Sequence, residues 1–500
     1  MAKTATHITV DGERYDLQDA ELAQEVSDLK SQIELSLNGH HYGVRWDKAT
    51  AKMTRTGLAA NITTTTTNFG HFGSVNANYD NPFDTIYPWS GRKLCNISLD
   101  LYMGLASGDA IEDCIVAWEG DPDFDYDHED GVWVYTPEFW GTSYDDGGYR
   151  YFDVCDKPLG GYVHYPAQIT ARNIGVKETR TINGSEKIIL LPKNGLPCVG
   201  VAMSAIHTYA KNAGMTLDSI FSIDASSLLL LVEFANYDTQ NAVGSGVSAL
   251  FYENDAGKIQ AASAGTVVQV LKSQANNLAI PNAIFDIGTA KGGNQVGTYI
   301  VQSVAENASD STLLDVTLNE SVTVTTDNYY SIHGRIILSD SDIGSASGYI
   351  GTNGKCDAYY RGESLWGNMW KYILGAYKNT DEHVYLAANA EEADNYDAID
   401  TSAHEDTGIE LANSGGWVKT LDILDRSGKL AAPCFCAAVG GSSSAPVGDY
   451  FYTSVGAARV LIVGGIASYG AYAGLFSWYW NTTAGYSYWS SAGRPRLLNP

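Results

Sequence analysis

Six carboxylates crowd the stretch Asp121-Pro-Asp-Phe-Asp-Tyr-Asp-His-Glu-Asp130. Acidic side chains at alternate positions offer the hard oxygen ligands that calcium takes. The sixth position is Tyr126, where an EF-hand loop needs glycine for its turn, so a solvated acidic loop is the plainer reading. Seven cysteines are scattered along the chain: Cys95, Cys114, Cys155, Cys198, Cys356, Cys434 and Cys436. Cys434-Phe435-Cys436 sets two thiols close together, but two ligands do not make a zinc site, and buried free thiols are expected. The chain has no Walker loop, no Gly-x-Ser-x-Gly elbow and no basic helix. A glycan-cleaving enzyme needs a carboxylate pair in a cleft. With 58 acidic residues, the sequence neither nominates nor excludes such a pair. The expectation is a protein that is not an enzyme and takes no cofactor or metal, with calcium at 121–130 as the weak alternative.

Binding chemistry is better marked. After Asp449 the chain carries no Asp, Glu or Lys, and Arg459, Arg494 and Arg496 are its last charges. Segment 466–491 holds Tyr469, Tyr472, Tyr479, Tyr486 and Tyr488 with Trp478, Trp480 and Trp489, among serines and glycines, and follows neither a strand nor a helix period. Rigid rings supply contact area at low entropic cost, and small polar groups adapt their hydrogen bonds, as in antibody paratopes. The competing reading is buried core, which Arg459-Val-Leu-Ile-Val-Gly-Gly465 must be in part.

The elements that would position this segment are mostly strands. Residues 1–38 suggest a stem. A short strand at His7–Val10 precedes an Asp11-Gly12 turn, and Leu22, Val26, Leu29 and Ile33 follow an a/d spacing over two heptads. A trimeric stem and a single amphipathic helix both fit that stripe. Residues 39–254 read as strands with two helices, one over 199–212 and one opened by Asp224 as N-cap with 228–234 as its body. Residues 255–340 carry short alternating segments at 266–270, 298–304, 313–318 and 321–326, which predict an inserted small β-barrel. Residues 341–500 return to Gly, Trp and Tyr and complete the larger domain. The fold class expected is α+β.

A net charge of −27 repels phosphate backbones and anionic lipid, so nucleic acid and membrane are not expected partners. The first residues lack an apolar signal core, and the longest apolar run, 228–232, is too short to span a bilayer.

Three segments together resemble one family. Tyr360-Arg-Gly-Glu-Ser-Leu-Trp-Gly-Asn-Met-Trp370 resembles the Arg-Gly-x-Glu-Asn-Leu-Trp-Gly-Asn-Val-Trp stretch of phage tail proteins with a C-type-lectin fold of formylglycine-generating-enzyme type. It departs by one residue fewer between Gly362 and Leu365 and by Met369 for Val. Val463-Gly-Gly465, Ala473-Gly-Leu-Phe476 and Gly493-Arg494 resemble the variable region of diversity-generating retroelement target proteins, phage tropism determinants among them. That region ends Gly-Ala-Arg-Leu, whereas here Pro495-Arg496 intervenes before the leucines. Tyr42-Gly-Val-Arg-Trp46 with Thr54-Arg-Thr-Gly57 is similar to an opening found in the same proteins. The resemblance spans about 40–498, with 255–340 as the insertion.

It implies a rigid framework holding replaceable side chains in a display region of about 459–494. Retroelement mutagenesis acts at template adenines. From Asn codons it reaches Tyr, Ser, Ala, Ile, Thr, Phe and Asn among others, but not Trp, Lys, Glu, Gln or Met. The variable, ligand-binding candidates are then Ile466, Ser468, Tyr469, Ala471, Tyr472, Ser477, Tyr479, Asn481, Tyr486, Tyr488, Ser490 and Ser491. Trp480 and Trp489 would be neighbouring aromatic anchors. Gly464, Gly465, Gly474 and Gly493 would set the backbone. Trp366, Gly367, Asn368 and Trp370 would support the surface, with Arg494 as framework cation.

The same fold hosts copper oxidases that need a cysteine pair near the C-terminal strands, and no cysteine follows Cys436. Iron-dependent relatives need a histidine triad, and the last histidine is His404. The resemblance therefore implies a phage tail-tip adhesin, made in the host cytoplasm and carried on the virion. It would be trimeric, joined to tail or baseplate proteins through its N-terminus, and bind a bacterial surface receptor, protein or glycan. The alternatives are a prophage or cellular variable ligand-binding protein of the same fold and a glycan-degrading tail enzyme.

Overall fold

In the computed structural model the described residues are 39–62, 81–247, 257–275, 279–290, 293–334, 336, 354–388, 403–424, 429–467 and 469–500, with the backbone of 7–10 and 13–16 and the helical positions 24, 26 and 30. The chain is mostly β, 44% strand against 15% helix, so helices back the sheets and do not form a layer of their own. At the N-terminus His7–Val10 pairs antiparallel with Glu13–Asp16 across the expected turn. Of the stem stripe, Val26 is helical and exposed, while Leu22, Leu29 and Ile33 lie outside the described residues. So do the expected domain boundaries at 254/255 and 340/341.

Three sheets build the body. A five-stranded antiparallel sheet runs Val163–Tyr165, Phe139–Asp146, Tyr149–Cys155, His41–Asp47, Met53–Gly57. The Tyr42-Gly-Val-Arg-Trp46 and Thr54-Arg-Thr-Gly57 motifs are its last two strands, with Tyr42 opposite Gly57. A six-stranded sheet includes Lys93–Ile97, Trp133–Thr136 and Gln168–Ala171, and takes in the C-terminal Pro495–Arg496. Pro495-Arg496, the departure from the family ending, is thus itself a strand, paired with Thr216–Leu217 and Thr170. A nine-stranded sheet centres on Trp370–Lys378, Arg459–Val463, Trp478–Thr482 and Tyr450–Thr453.

The helix Ile220–Phe234 lies in a core cluster with apolar side chains of the five- and nine-stranded sheets. It is buried almost all round, as its run of leucines requires. Its N-cap is Ser219, which closes a capping box with Ser222, and not Asp224 as the sequence suggests. Asp224 instead sits inside the helix, fully buried. Its carboxylate accepts from the amides of Ala431 and Ala432 at 2.7 and 2.8 Å and from the Tyr165 hydroxyl. The other helix is Met203–Lys211, shorter than the expected 199–212.

The stretch expected to be an insertion holds a five-stranded antiparallel sheet, ordered Ser263–Leu271, Leu313–Val324, Gly293–Glu306, Ile284–Ala290, Tyr329–His333. It curls as a half-barrel where a closed barrel is expected. Register shifts at Gly265/Val267, Ile287/Gly288 and Val301/Ser303 bend its strands, as bulges do. The segments expected at 313–318 and 321–326 are one strand, which pairs on both sides. Its Ile284 packs with Met369 and Ala492 behind the C-terminal segment. Among the described residues no helix is long and apolar enough to cross a membrane.

Candidate functional site

Strand alternation sorts the C-terminal aromatics. In Trp478–Thr482, Trp478 and Trp480 point into the core cluster of the central helix, while Tyr479 belongs to the cluster on the opposite face. Trp480 is fully buried and so does not anchor ligand at the surface. Trp489 is also buried, edge-on to Tyr488 with centroids 6.2 Å apart.

On that opposite face the rings form a continuous band, in which Trp370 and the variable candidate Tyr479 are themselves buried. Tyr479 packs on Trp370 at 4.5 Å, Tyr469 meets both, and Tyr472 stacks on Trp417 at 5.1 Å. Tyr450 and Tyr452 join the band at Tyr479. Sequence reasoning missed Trp417, Tyr450 and Tyr452. The signal was present, because Tyr450 and Tyr452 alternate with buried Phe451 and Thr453 and must share a face.

At one end of the band is a cleft of about 260 Å³, lined by Trp370, Ile462, Ile466, Tyr469, Asn481, Thr482, Tyr486, Tyr488, Ser490 and Ser491. It gathers seven of the variable candidates: Ile466, Tyr469, Asn481, Tyr486, Tyr488, Ser490 and Ser491. Asn481 and Tyr486 are exposed, Tyr469 and Tyr488 half-buried, and Ile466, Ser490 and Ser491 buried in its walls. Ala471 and Tyr472 are exposed outside the cleft. Ser477 is brought to neither place: it is fully buried and donates to the Tyr450 carbonyl at 3.1 Å. Ser468 lies outside the described residues. Burial pushes the Tyr479 and Tyr486 phenols up, so both stay neutral hydrogen-bonding groups.

The backbone of this segment is fastened by residues outside it. Gln240 donates to the carbonyls of Gly470, Ala471 and Ala473. The Tyr372 hydroxyl donates to the Tyr486 carbonyl at 2.8 Å, and the Gly200 amide to that of Tyr488 at 3.0 Å. The Trp370 amide donates to the Ser490 carbonyl at 2.8 Å. Asn368 accepts from the Ala467 amide through its carbonyl, while its side chain exchanges two hydrogen bonds with Gly334 at the end of the insertion. Trp366 is fully buried and donates to the Gly244 carbonyl at 2.9 Å.

The framework glycines stand where a side chain would collide. A Cβ on Gly367 would meet the Ser245 carbonyl at 2.5 Å, and one on Gly474 the Asp449 carboxylate at 2.1 Å. Gly493 faces Ile206 at 2.6 Å, and Gly464 and Gly465 both have positive φ.

Two buried ionic clusters hold the floor. Arg494 pairs with Asp218 and with Glu363, the latter at 2.7 Å, and donates to the Ser364 carbonyl. Arg92, Ser226 and Thr170 also bond Glu363. Burial pushes the Glu363 carboxyl up, but the Arg494 and Arg92 guanidiniums outweigh it and hold it below its ordinary range. Nearby, Arg361 clamps Glu233 of the central helix with two bonds of 2.7 Å, joined by Tyr360 and Asn81. The Tyr360-Arg-Gly-Glu motif thus supplies Glu363 to one cluster and Tyr360 and Arg361 to the other.

Two other groupings of reactive side chains stand apart from this cleft. Cys155 Sγ lies 3.9 Å from His41 Nε2, and His41 Nδ1 lies 3.2 Å from Asp153, the order of a thiol nucleophile, base and orienting acid. Cys155 has no exposed surface, because the backbone at Gly39 covers it, and burial pushes its thiol up. In the acidic run, Asp121, Asp125 and Asp130 are occupied by the amides of Trp118, Asp127 and Leu99. Among the described residues no three His, Cys, Asp or Glu side chains are grouped to hold a metal ion. All seven cysteines are free and buried.

No protein-family model and no curated protein matches this chain.

Proposed function

We propose that this protein is a receptor-binding adhesin of a bacteriophage tail tip, with a C-type-lectin-like body, an inserted β unit and a C-terminal surface of replaceable side chains. The observation that carries this is the division of labour in 466–491. The backbone is held by Gln240, Tyr372, Gly200, Trp370 and Asn368, while Tyr469, Tyr472, Asn481, Tyr486 and Tyr488 project from it at least partly exposed. A backbone fastened from outside the segment tolerates changes among the side chains it presents. The surface is aromatic and uncharged, suited to contact area with adaptable hydrogen bonds. Several copies on one virion would raise weak single contacts to firm attachment. Trimerisation and attachment to the tail are assigned to 1–38.

The test is to sequence the DNA beside the gene. A near-copy of the codons for 459–498, differing mainly at adenines and adjacent to a reverse transcriptase gene, is the expected finding. With neither copy nor reverse transcriptase, the diversified display is wrong.

A further inference from the structure

We propose that the cleft between Trp370 and Tyr486 is a subsite for one uncharged pyranose ring of a surface glycan, held by side chains without a metal ion. This rests on the receptor-display reading and names the ligand class for that surface. A pyranose has an apolar C–H face and a rim of hydroxyls. The cleft offers both complements: the rings of Tyr469, Tyr486 and Tyr488, set over a buried Trp370, and the polar groups of Asn481, Thr482 and Ser490.

Asn481 is exposed, and its amide carries both donors and an acceptor. The Thr482 and Ser490 hydroxyls are buried in the wall without a hydrogen-bond partner among the described residues. Each turns about a single torsion, so a sugar hydroxyl can recruit it.

Charge and size narrow the class. Among the described residues no Asp, Glu, Lys, Arg or His lines the cleft, so an acidic or amino sugar would shed hydration without gaining a counter-ion. At about 260 Å³ the cleft falls just below the ~300–1,000 Å³ of sites for drug-sized ligands, which suits one ring. A peptide strand is disfavoured. Tyr479 and Trp480 are paired on both sides, by Arg459–Val463 and Tyr450–Thr453, which leaves too short an edge at Asn481–Thr482 for an added strand.

The experiment is saturation-transfer NMR on the full chain in EDTA, with methyl α-glucoside, α-galactoside and α-mannoside against glucuronic and N-acetylneuraminic acids. One neutral glycoside should bind with a Kd on the order of 1 mM, at least ~10-fold tighter than either acid. Asn481→Ala and Tyr486→Ala, both at exposed positions, should each weaken it about 10-fold at an unchanged melting temperature. The inference is overturned if no neutral glycoside binds, if the acids bind equally well, or if both variants bind like the parent. Failure here beside an adenine-diverged gene copy leaves the display reading intact with a protein receptor. Absence of the copy overturns diversification without touching a sugar result.

Discussion

Arg494, six residues before the C-terminal Leu497-to-Pro500 segment is complete, lies 2.7 Å from Glu363, and neither side chain has more than 1% of its surface exposed. The pair joins the C-terminal segment to Glu363 of the Tyr360-Arg-Gly-Glu motif, 131 positions earlier in the chain, and Asp218 completes it at the start of the central helix. A charge this deep is tolerated because every partner is present. Arg494→Met should therefore cost about 3–5 kcal/mol by leaving Asp218 and Glu363 facing each other without their cation. Urea unfolding checks this, and Arg494→Lys should recover only part of the loss, since an ammonium cannot serve Asp218, Glu363 and the Ser364 carbonyl in one plane.

Support and display should separate in a stability measurement. Trp366 is fully buried, so Trp366→Ala should cost about 3–5 kcal/mol. Tyr472 and Tyr486 are each 45% exposed, and their alanine variants should stay within about 0.5 kcal/mol of the parent. Thermal unfolding of the three proteins decides it; a Trp366→Ala protein of full stability would remove that residue from the framework.

Gly474 touches a carboxyl that cannot retreat. Asp449 is fully buried, and one of its oxygens accepts from the Phe476 amide at 2.7 Å. Gly474→Ala would drive a methyl group into it and should cost about 1–3 kcal/mol. Adding Asp449→Ala should return part of that cost, so the two changes together should be less damaging than their sum. A strictly additive double-mutant cycle would show that the contact is not what excludes a side chain at 474.

Asp224 makes stability depend on pH. Burial lifts its carboxyl to about 6 from an ordinary 3.8, against the pull of Tyr165 and the Ala431 and Ala432 amides. The native state then holds this proton more tightly than the unfolded chain. The stability it contributes is complete below about pH 4 and is lost as the pH rises through about 6, up to about 3 kcal/mol. The stability difference between parent and Asp224→Asn should shift in the variant's favour by that order between pH 4 and 7. A difference that is flat across this range would mean that Asp224 does not titrate there.

How much of this was legible in the sequence differs from residue to residue. The acid-free C-terminus and the core strand at Arg459–Val463 can be read locally, because composition and an apolar run are properties of neighbours, whereas the strand Trp478–Thr482 lies in a segment that shows no period as a whole. Alternation says that Tyr479 faces away from both tryptophans; it does not say which side is core. That was decided by the tertiary packing: Trp478 and Trp480 join the core cluster of the helix Ile220–Phe234, and Tyr479 is buried in the second cluster with Trp370. The same limit applies to charge. Arg361 and Glu233 are 128 positions apart, and nothing near either one announces its partner. Asp224 reads as an N-cap because Asp before an apolar run usually is one, yet Ser219 caps the helix and Asp224 spends its carboxylate on the amides of Ala431 and Ala432. Local pattern determined which side chains share a face. Only the tertiary contacts, made between segments far apart in the chain, decided which face is buried, which charges meet, and which tyrosines are left exposed.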